Sequence, residues 1–215
     1  MYLNWQEKII TDFSNENINK LYDEGFVFTR KNKGVMNQTR STRISLDKFE
    51  LSSENRRILK KTEGLEIKIE QIPYLDYSWK IGKMGKDFYE NKFGKNIFSA
   101  NKIKEILTNE KKSNFNLLFK YCLDKKYIGY CICKETDEFI HYSYPFYSND
   151  SSLKNTGMSM MIRAVILAKK NNKKYIYLGS ASNKKSLYKF QFNNIEWFNG
   201  KNWTNDVKKL KGILK

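Results

Sequence analysis

FIHYSYPFY (Phe139–Tyr147), TGMSMMIRAVILAKK (Thr156–Lys170), YIYLG (Tyr175–Gly179) and SLYKFQF (Ser186–Phe192) follow one another along the chain. The first segment is apolar and aromatic, with β-branched and ring side chains suited to a strand. A loop from Ser148 to Lys154 then leads into a helix, in which Met158, Met161, Ile162, Val165 and Ile166 fall on one face. YIYLG is a second short strand, and Asn183 to Phe192 a helical turn with Leu187 inward and Tyr188 beside a cleft. A strand, a crossover helix and a second strand in one sheet imply a parallel pair. Gly157, at the start of the helix, leaves N–H donors open to an approaching phosphate or carbonyl oxygen; it reads equally well as an ordinary turn glycine. Donors and a tyrosine around one cleft suit acyl transfer.

The chain before this stretch is mostly helix and short strand. Leu3, Ile9, Ile10 and Phe13 sit at roughly helical spacing, and Asn15 or Asn17 caps a second helix with Ile18, Leu21 and Tyr22 inward, closed by Gly25. Phe26–Thr29 and Arg40–Leu46 read as strands, with a turn at residues 31–34. Ser52-Ser53 caps a basic helix to Lys61, and Leu65–Glu70 alternates as a half-buried strand. Residues 74–112 read as helical and basic, Phe88, Tyr89 and Phe93 forming one apolar set and Ile103, Ile106 and Leu107 another. Residues 114–123, 126–134 and 138–144 follow as an antiparallel meander with short turns. The change of character near 113 divides a basic region, 1–112, from 113–215, as a domain boundary or as a step inside one fold.

Charge is the strongest compositional feature. Forty Lys and Arg against 23 Asp and Glu give +17 in 215 residues, which points to a polyanionic partner, nucleic acid first. Lysine-rich codon usage is the plain alternative. The 14 Tyr, 14 Phe and 4 Trp supply a core despite the modest aliphatic content. Cys122, Cys131 and Cys133 lack metal-binding spacing and read as buried thiols; their odd number and the absence of a leader segment suit a reducing cytoplasm. No apolar run reaches membrane-spanning length, and no metal is expected.

Taken together, the meander, the Gly157 helix, YIYLG and the Tyr188–Phe192 turn resemble the GNAT acyltransferase superfamily. That resemblance implies an α/β (α+β) fold, a mixed, mostly antiparallel sheet flanked by helices, with the acyltransferase core in 113–215. Its Arg/Gln-x-x-Gly-x-Gly/Ala loop is only partly matched: Lys154 and Gly157 fit loosely, and Ser159 stands where a second small residue belongs. A narrower resemblance is to arginyl- and leucyl-tRNA–protein transferases. Gly25-Phe26, Arg40 to Phe49 and Ser53 to Lys61 are similar to their N-terminal region; Tyr144-x-Phe146-Tyr147, the Gly157 helix, Tyr177-Leu178-Gly179 and Tyr188-Lys189 are similar to their C-terminal half. Residues 30–39 carry no cysteine, where that family usually has a cysteine cluster.

What the resemblance implies is an aminoacyltransferase that carries an amino acid from aminoacyl-tRNA to the amino group of a protein or peptide. Its partners would be tRNA and an acceptor N-terminus, with no membrane and no cofactor beyond the charged tRNA. Because an aminoacyl ester is already activated, the enzyme needs positioning, an oxyanion donor and a proton route. Tyr188 is the candidate proton relay and Tyr177 a weaker one; each reads otherwise as a core aromatic. Thr156, Gly157, Met158, Ser159, Tyr144, Gly179 and Lys189 are expected around the donor. Arg40, Arg43, Arg56, Arg57, Lys60 and Lys61 form a basic group fit for an acceptor stem, or simply a solvated face; Lys208–Lys215 reads as a solvated or weakly RNA-contacting tail rather than a site. The alternatives are an N-acetyltransferase that uses acetyl-CoA and a non-catalytic RNA-binding relative.

Overall fold

The computed structural model describes residues 3–149 and 154–214. Part of the loop read at Ser148–Lys154, and Lys215 of the tail, lie outside the described residues. The N-terminal segment is not a helix but a strand, β1 (Gln6–Ile9), whose residues are all exposed. Pairing with a distant partner creates it, which local spacing does not encode. Helix α1 (Asn15–Asp23) is capped by Ser14, whose hydroxyl accepts from the Asn17 N–H, rather than by either asparagine. Gly25, at φ +80°, turns the chain into β2 (Phe26–Phe28). Strand β3 (Val35–Gln38) was not read from the sequence; β4 (Ser41–Ser45) was.

Ser52 opens α2 (Ser53–Lys61) with a reciprocal cap, its hydroxyl accepting from the Asn55 N–H while the Asn55 amide oxygen accepts from its own N–H. Strand β5 (Glu66–Gln71) follows, with Ile69 left exposed. Helices α3 (Trp79–Phe93) and α4 (Ala100–Thr108) bury Ile81, Phe88 and Tyr89, and Ile103, Ile106 and Leu107. Phe93, expected inward, is exposed and lies stacked on Tyr89. The meander is β6 (Leu117–Leu123), β7 (Lys126–Glu135) and β8 (Phe139–Tyr147). Asp124 and Lys125 both take positive φ, the geometry of a two-residue hairpin turn that matches strand twist.

Helix α5 (Thr156–Lys170) leads to β9 (Tyr175–Ser180), a 3-10 helix (Lys184–Gln191), β10 (Ile195–Phe198), β11 (Trp203–Thr204) and α6 (Val207–Ile213). On α5 the inward face includes Met160, Ala164 and Ala168, all fully buried, whereas Ile166 is exposed. Met161, Ile162 and Val165 are buried as expected, so the buried face is wider than the spacing of the large side chains suggests. The C-terminal tail is likewise a helix and not a solvated end: Leu210 and Leu214 pack with Ala181 and Trp197.

The described residues divide into two compact units, each discontinuous in sequence. The first takes 1–56, 135–141 and 165–215. In it β3 lies between β1 and β2, and the order β11-β10-β4-β9 is antiparallel throughout. Phe139, Ile140 and His141 of β8 run parallel to Tyr175, Ile176 and Tyr177 of β9, as the crossover reading requires. The second unit takes 57–134 and 142–164, with β6 antiparallel to both β5 and β7 and the remainder of β8 beside β7. Its core holds Phe119, Tyr121, Cys131, Cys133, Tyr142 and Phe146. All three cysteines are free and buried. No helix among the described residues is long and apolar enough to cross a membrane.

Candidate active site

In the first unit, the parallel ladder ends at His141 and Tyr177, and the chain geometry changes just beyond. Between Ser41/Ser180 and Arg43/Tyr177 the register slips, so Leu178 and Gly179 oppose Thr42 alone. Such a bulge bends a strand and re-aims its side chains. Gly179 takes φ +77°, and its carbonyl accepts from the Thr42 hydroxyl at 2.8 Å. The next carbonyl, Ser180 O, accepts from the Lys189 ammonium at 2.9 Å. A Cβ added at Gly179 would stand 3.6 Å from that ammonium nitrogen. Gly179 and Lys189, separate in sequence, are thus brought together, and Lys189 is buried. Tyr188, on the same 3-10 turn, is 46% exposed.

Behind this turn lies a group that sequence reading missed. His141 Nδ1 is 2.9 Å from the Tyr22 hydroxyl, which also accepts from the Phe28 N–H at 3.3 Å. The hydroxyl thus links the imidazole to the Phe28 backbone. Burial, and then the Lys189 charge, push the imidazole down to about 3, so it is neutral at physiological pH. A lone histidine inside an apolar strand was the available signal. Its partner lies on α1, far away in sequence, where no local pattern reaches.

Tyr177 and Arg43 do other work than expected. Tyr177 is 1% exposed, and its ring meets Tyr22, Phe139 and Trp203 edge-on. Its hydroxyl accepts from Arg43 Nη1 at 3.3 Å. Burial raises its pKa well above the usual phenol range, with the Arg43 charge opposing the shift. A phenol so enclosed is a framework element, not a proton relay. Arg43 bonds Glu196 through Nε at 2.8 Å and Asp23 through Nη1 at 2.7 Å. Its guanidinium lies 3.9 Å from the Tyr175 ring centroid and 4.1 Å from that of Trp203. With 7% exposure and two carboxylates, it is not a phosphate contact. Arg40 is half-buried and donates to Ala181 O at 3.3 Å. Arg56, Arg57, Lys60 and Lys61 stay exposed along α2, as a basic face requires.

In the second unit, the start of α5 is more closed than its glycine implies. A Cβ at Gly157 would come within 3.0 Å of the Tyr147 ring and 3.1 Å of its hydroxyl oxygen. The space left by the missing side chain belongs to Tyr147, not to a ligand. Ser159 is fully buried, 2.6 Å from the Thr62 hydroxyl, and Thr156 is buried too. Arg163 Nη2 donates to Thr62 O at 2.6 Å and braces the same contact. Met158 is half-buried, and half-buried Tyr144 meets Phe98 and Phe115 edge-on. This close packing favours the reading of Gly157 as a turn glycine.

A family model described as "Arginine-tRNA-protein transferase, C terminus" matches residues 71–199. No curated protein matches. Among solved structures, L-PGS from Bacillus licheniformis superposes with TM-score 0.51 at 14% identity, over 77% of this chain and 52% of that one. FemX does so with TM-score 0.50 at 11% identity, over 82% and 64%. The GCN5-related glucosamine N-acetyltransferase region of a fungal multi-domain GH3 β-N-acetylglucosaminidase gives 0.50 at 8%, over 88% and 22%. At these identities the likeness is one of fold, and it establishes the GNAT-like α/β architecture. The chain spans about half the length of L-PGS.

Proposed function

The chain belongs to the arginine-tRNA-protein transferase C-terminal family, and on that premise we propose that it is an aminoacyltransferase, moving an amino acid from aminoacyl-tRNA to the amino group of a protein or peptide. The acceptor amine attacks the ester carbonyl, the carbonyl oxygen takes on negative charge, and collapse expels the ribose oxygen. The proton lost by the amine ends on that oxygen. No cofactor is needed, since the ester is already activated, and a cytoplasmic reaction is consistent with this reading.

The observation that carries this reading is the arrangement at the end of β9. Lys189 is a buried cation, fixed by the Ser180 carbonyl against Gly179, where no side chain intervenes. A fixed positive charge in a partly dehydrated setting is what a developing oxyanion requires. Tyr188, exposed on the same turn, supplies a hydroxyl to pass the proton toward the leaving ribose. The exposed cations of α2, Arg56, Arg57, Lys60 and Lys61, suit a phosphate backbone.

The test is transfer of labelled amino acid from a complete pool of charged tRNA to peptides with varied N-termini. Transfer is expected, and Tyr188→Phe should lower turnover about 10²-fold with little change in KM. Full turnover in Tyr188→Phe would remove the relay. If nothing is transferred to any acceptor while acetyl-CoA binds saturably, the N-acetyltransferase alternative replaces this reading. If tRNA binds and no transfer of either kind occurs, the protein is the non-catalytic relative.

A further inference from the structure

A cavity of about 550 Å³ opens in the first unit, away from β9, among β1, β3, the β10–β11 loop and α6. Trp5 forms one wall and remains 37% exposed. Its indole is held in place: Phe198 meets it edge-on at 6.2 Å, and the Arg40 guanidinium lies 5.9 Å from the ring. Gly200 takes φ +104°, which favours glycine in this loop, and an added Cβ would make ordinary contact with the ring at 3.8 Å. The loop is itself fixed by Asn199, whose side-chain oxygen accepts from the N–H groups of Lys201 and Asn202. A flat apolar surface on a rigid support is a stacking platform.

The charges around it select the ligand. Lys201 and Lys209 line the cavity, and among the described residues no carboxylate does. Asp206, at the base of α6, is engaged as the helix cap through the Lys209 N–H. An acceptor N-terminus is itself a cation and would need the opposite lining. Gln6 and Asn202 add amide groups to the wall, beside Gln38, whose Nε2 donates to the Glu24 carbonyl at 2.8 Å; such amides read the donor and acceptor edges of a base. A planar ring joined to an anion fits all of these features.

We propose that this cavity binds one unpaired RNA nucleotide, with its base on Trp5 and its phosphate on Lys201 and Lys209. That the RNA is the donor tRNA rests on the function proposed above; the nucleotide chemistry does not. The assay is fluorescence anisotropy with a labelled single-stranded RNA pentamer and with uncharged tRNA, on the full chain, with melting temperatures in parallel. Trp5→Ala should weaken pentamer binding about 5- to 150-fold, the range of one base–aromatic stack, and Trp5→Phe should restore most of it. Lys201→Ala with Lys209→Ala, both exposed, should leave the melting temperature unchanged and flatten the salt dependence by about 1.4 in slope. Unchanged RNA binding in both variants overturns the proposal. So does an acidic aromatic peptide whose binding alone depends on Trp5. Trp5-dependent RNA binding without aminoacyl transfer would refute the proposed function and leave this site standing. Normal transfer with RNA binding indifferent to Trp5 would do the reverse.

Discussion

Arg43→Ala separates a framework arginine from an RNA contact. The guanidinium holds Glu196 at 2.8 Å and Asp23 at 2.7 Å, with its own side chain only 8% exposed. Truncating one member of a fully buried pair costs about 3–5 kcal/mol, because the partner charge is stranded. Here Asp23 and Glu196 keep 52% and 31% of their side-chain surface, so water re-solvates them and each pair is worth about 0.5–1 kcal/mol. Contacts with the Tyr175 and Trp203 rings add about 0.5–1 kcal/mol each. The expected loss is about 3 kcal/mol, which for a chain of this length lowers the melting temperature by about 6–12 °C. Arg43→Lys should recover less than half, since an ammonium cannot span both carboxylates and lie flat between two rings. Thermal unfolding reads the loss, and tRNA binding from low to moderate salt, well below the transition, reads the rest. The salt slope should match that of the unsubstituted protein. An unchanged melting temperature together with a slope smaller by about 0.9 would mean that Arg43 contacts phosphate, and the reasoning fails.

His141 is the only histidine, so its imidazole resonances are unique and its titration can be followed directly by NMR. The ring should stay neutral from pH 8 to pH 5; a midpoint near 6.5 would refute its burial against Tyr22 and Lys189. Since the folded value is depressed, the unfolded chain binds the extra proton as pH falls through 6.5, and stability is lost from there down to about 3. His141→Gln should remove a contribution of at most about 3 kcal/mol to that acid loss in urea titrations at pH 7 and pH 4. Gly25→Ala combines a left-handed φ with a Cβ only 2.3 Å from the Phe198 ring. It should cost about 3 kcal/mol in urea unfolding, from about 1 for the backbone and the rest for overpacking; a loss below about 1 would show that Phe198 moves freely aside.

Much of this protein was decided locally and could therefore be read from the chain. The hairpin at Asp124-Lys125 needs two residues at positive φ, and the Ser52 cap needs a hydroxyl before a helical run; both are short-range demands. The crossover between β8 and β9 followed from chain direction alone. The residues of the basic α2 face and the tyrosine-lysine turn were also legible. Strands β1 and β3 were not, because each exists by pairing with a strand that local spacing does not reveal. The assignment of charge was not legible either. In sequence Arg43 and Arg56 are equivalent cations; only the fold surrounds one with Asp23, Glu196 and two aromatic rings and leaves the other in water. Gly157 looked open because a missing side chain is visible in sequence, whereas the Tyr147 ring that fills its place is not. The sequence by itself determined most of the central elements, from α1 to β9, and that the chain is a strongly basic acyltransferase-like fold. Tertiary structure alone decided which side chains face a ligand, since burial and partner choice depend on contacts between residues far apart in the chain.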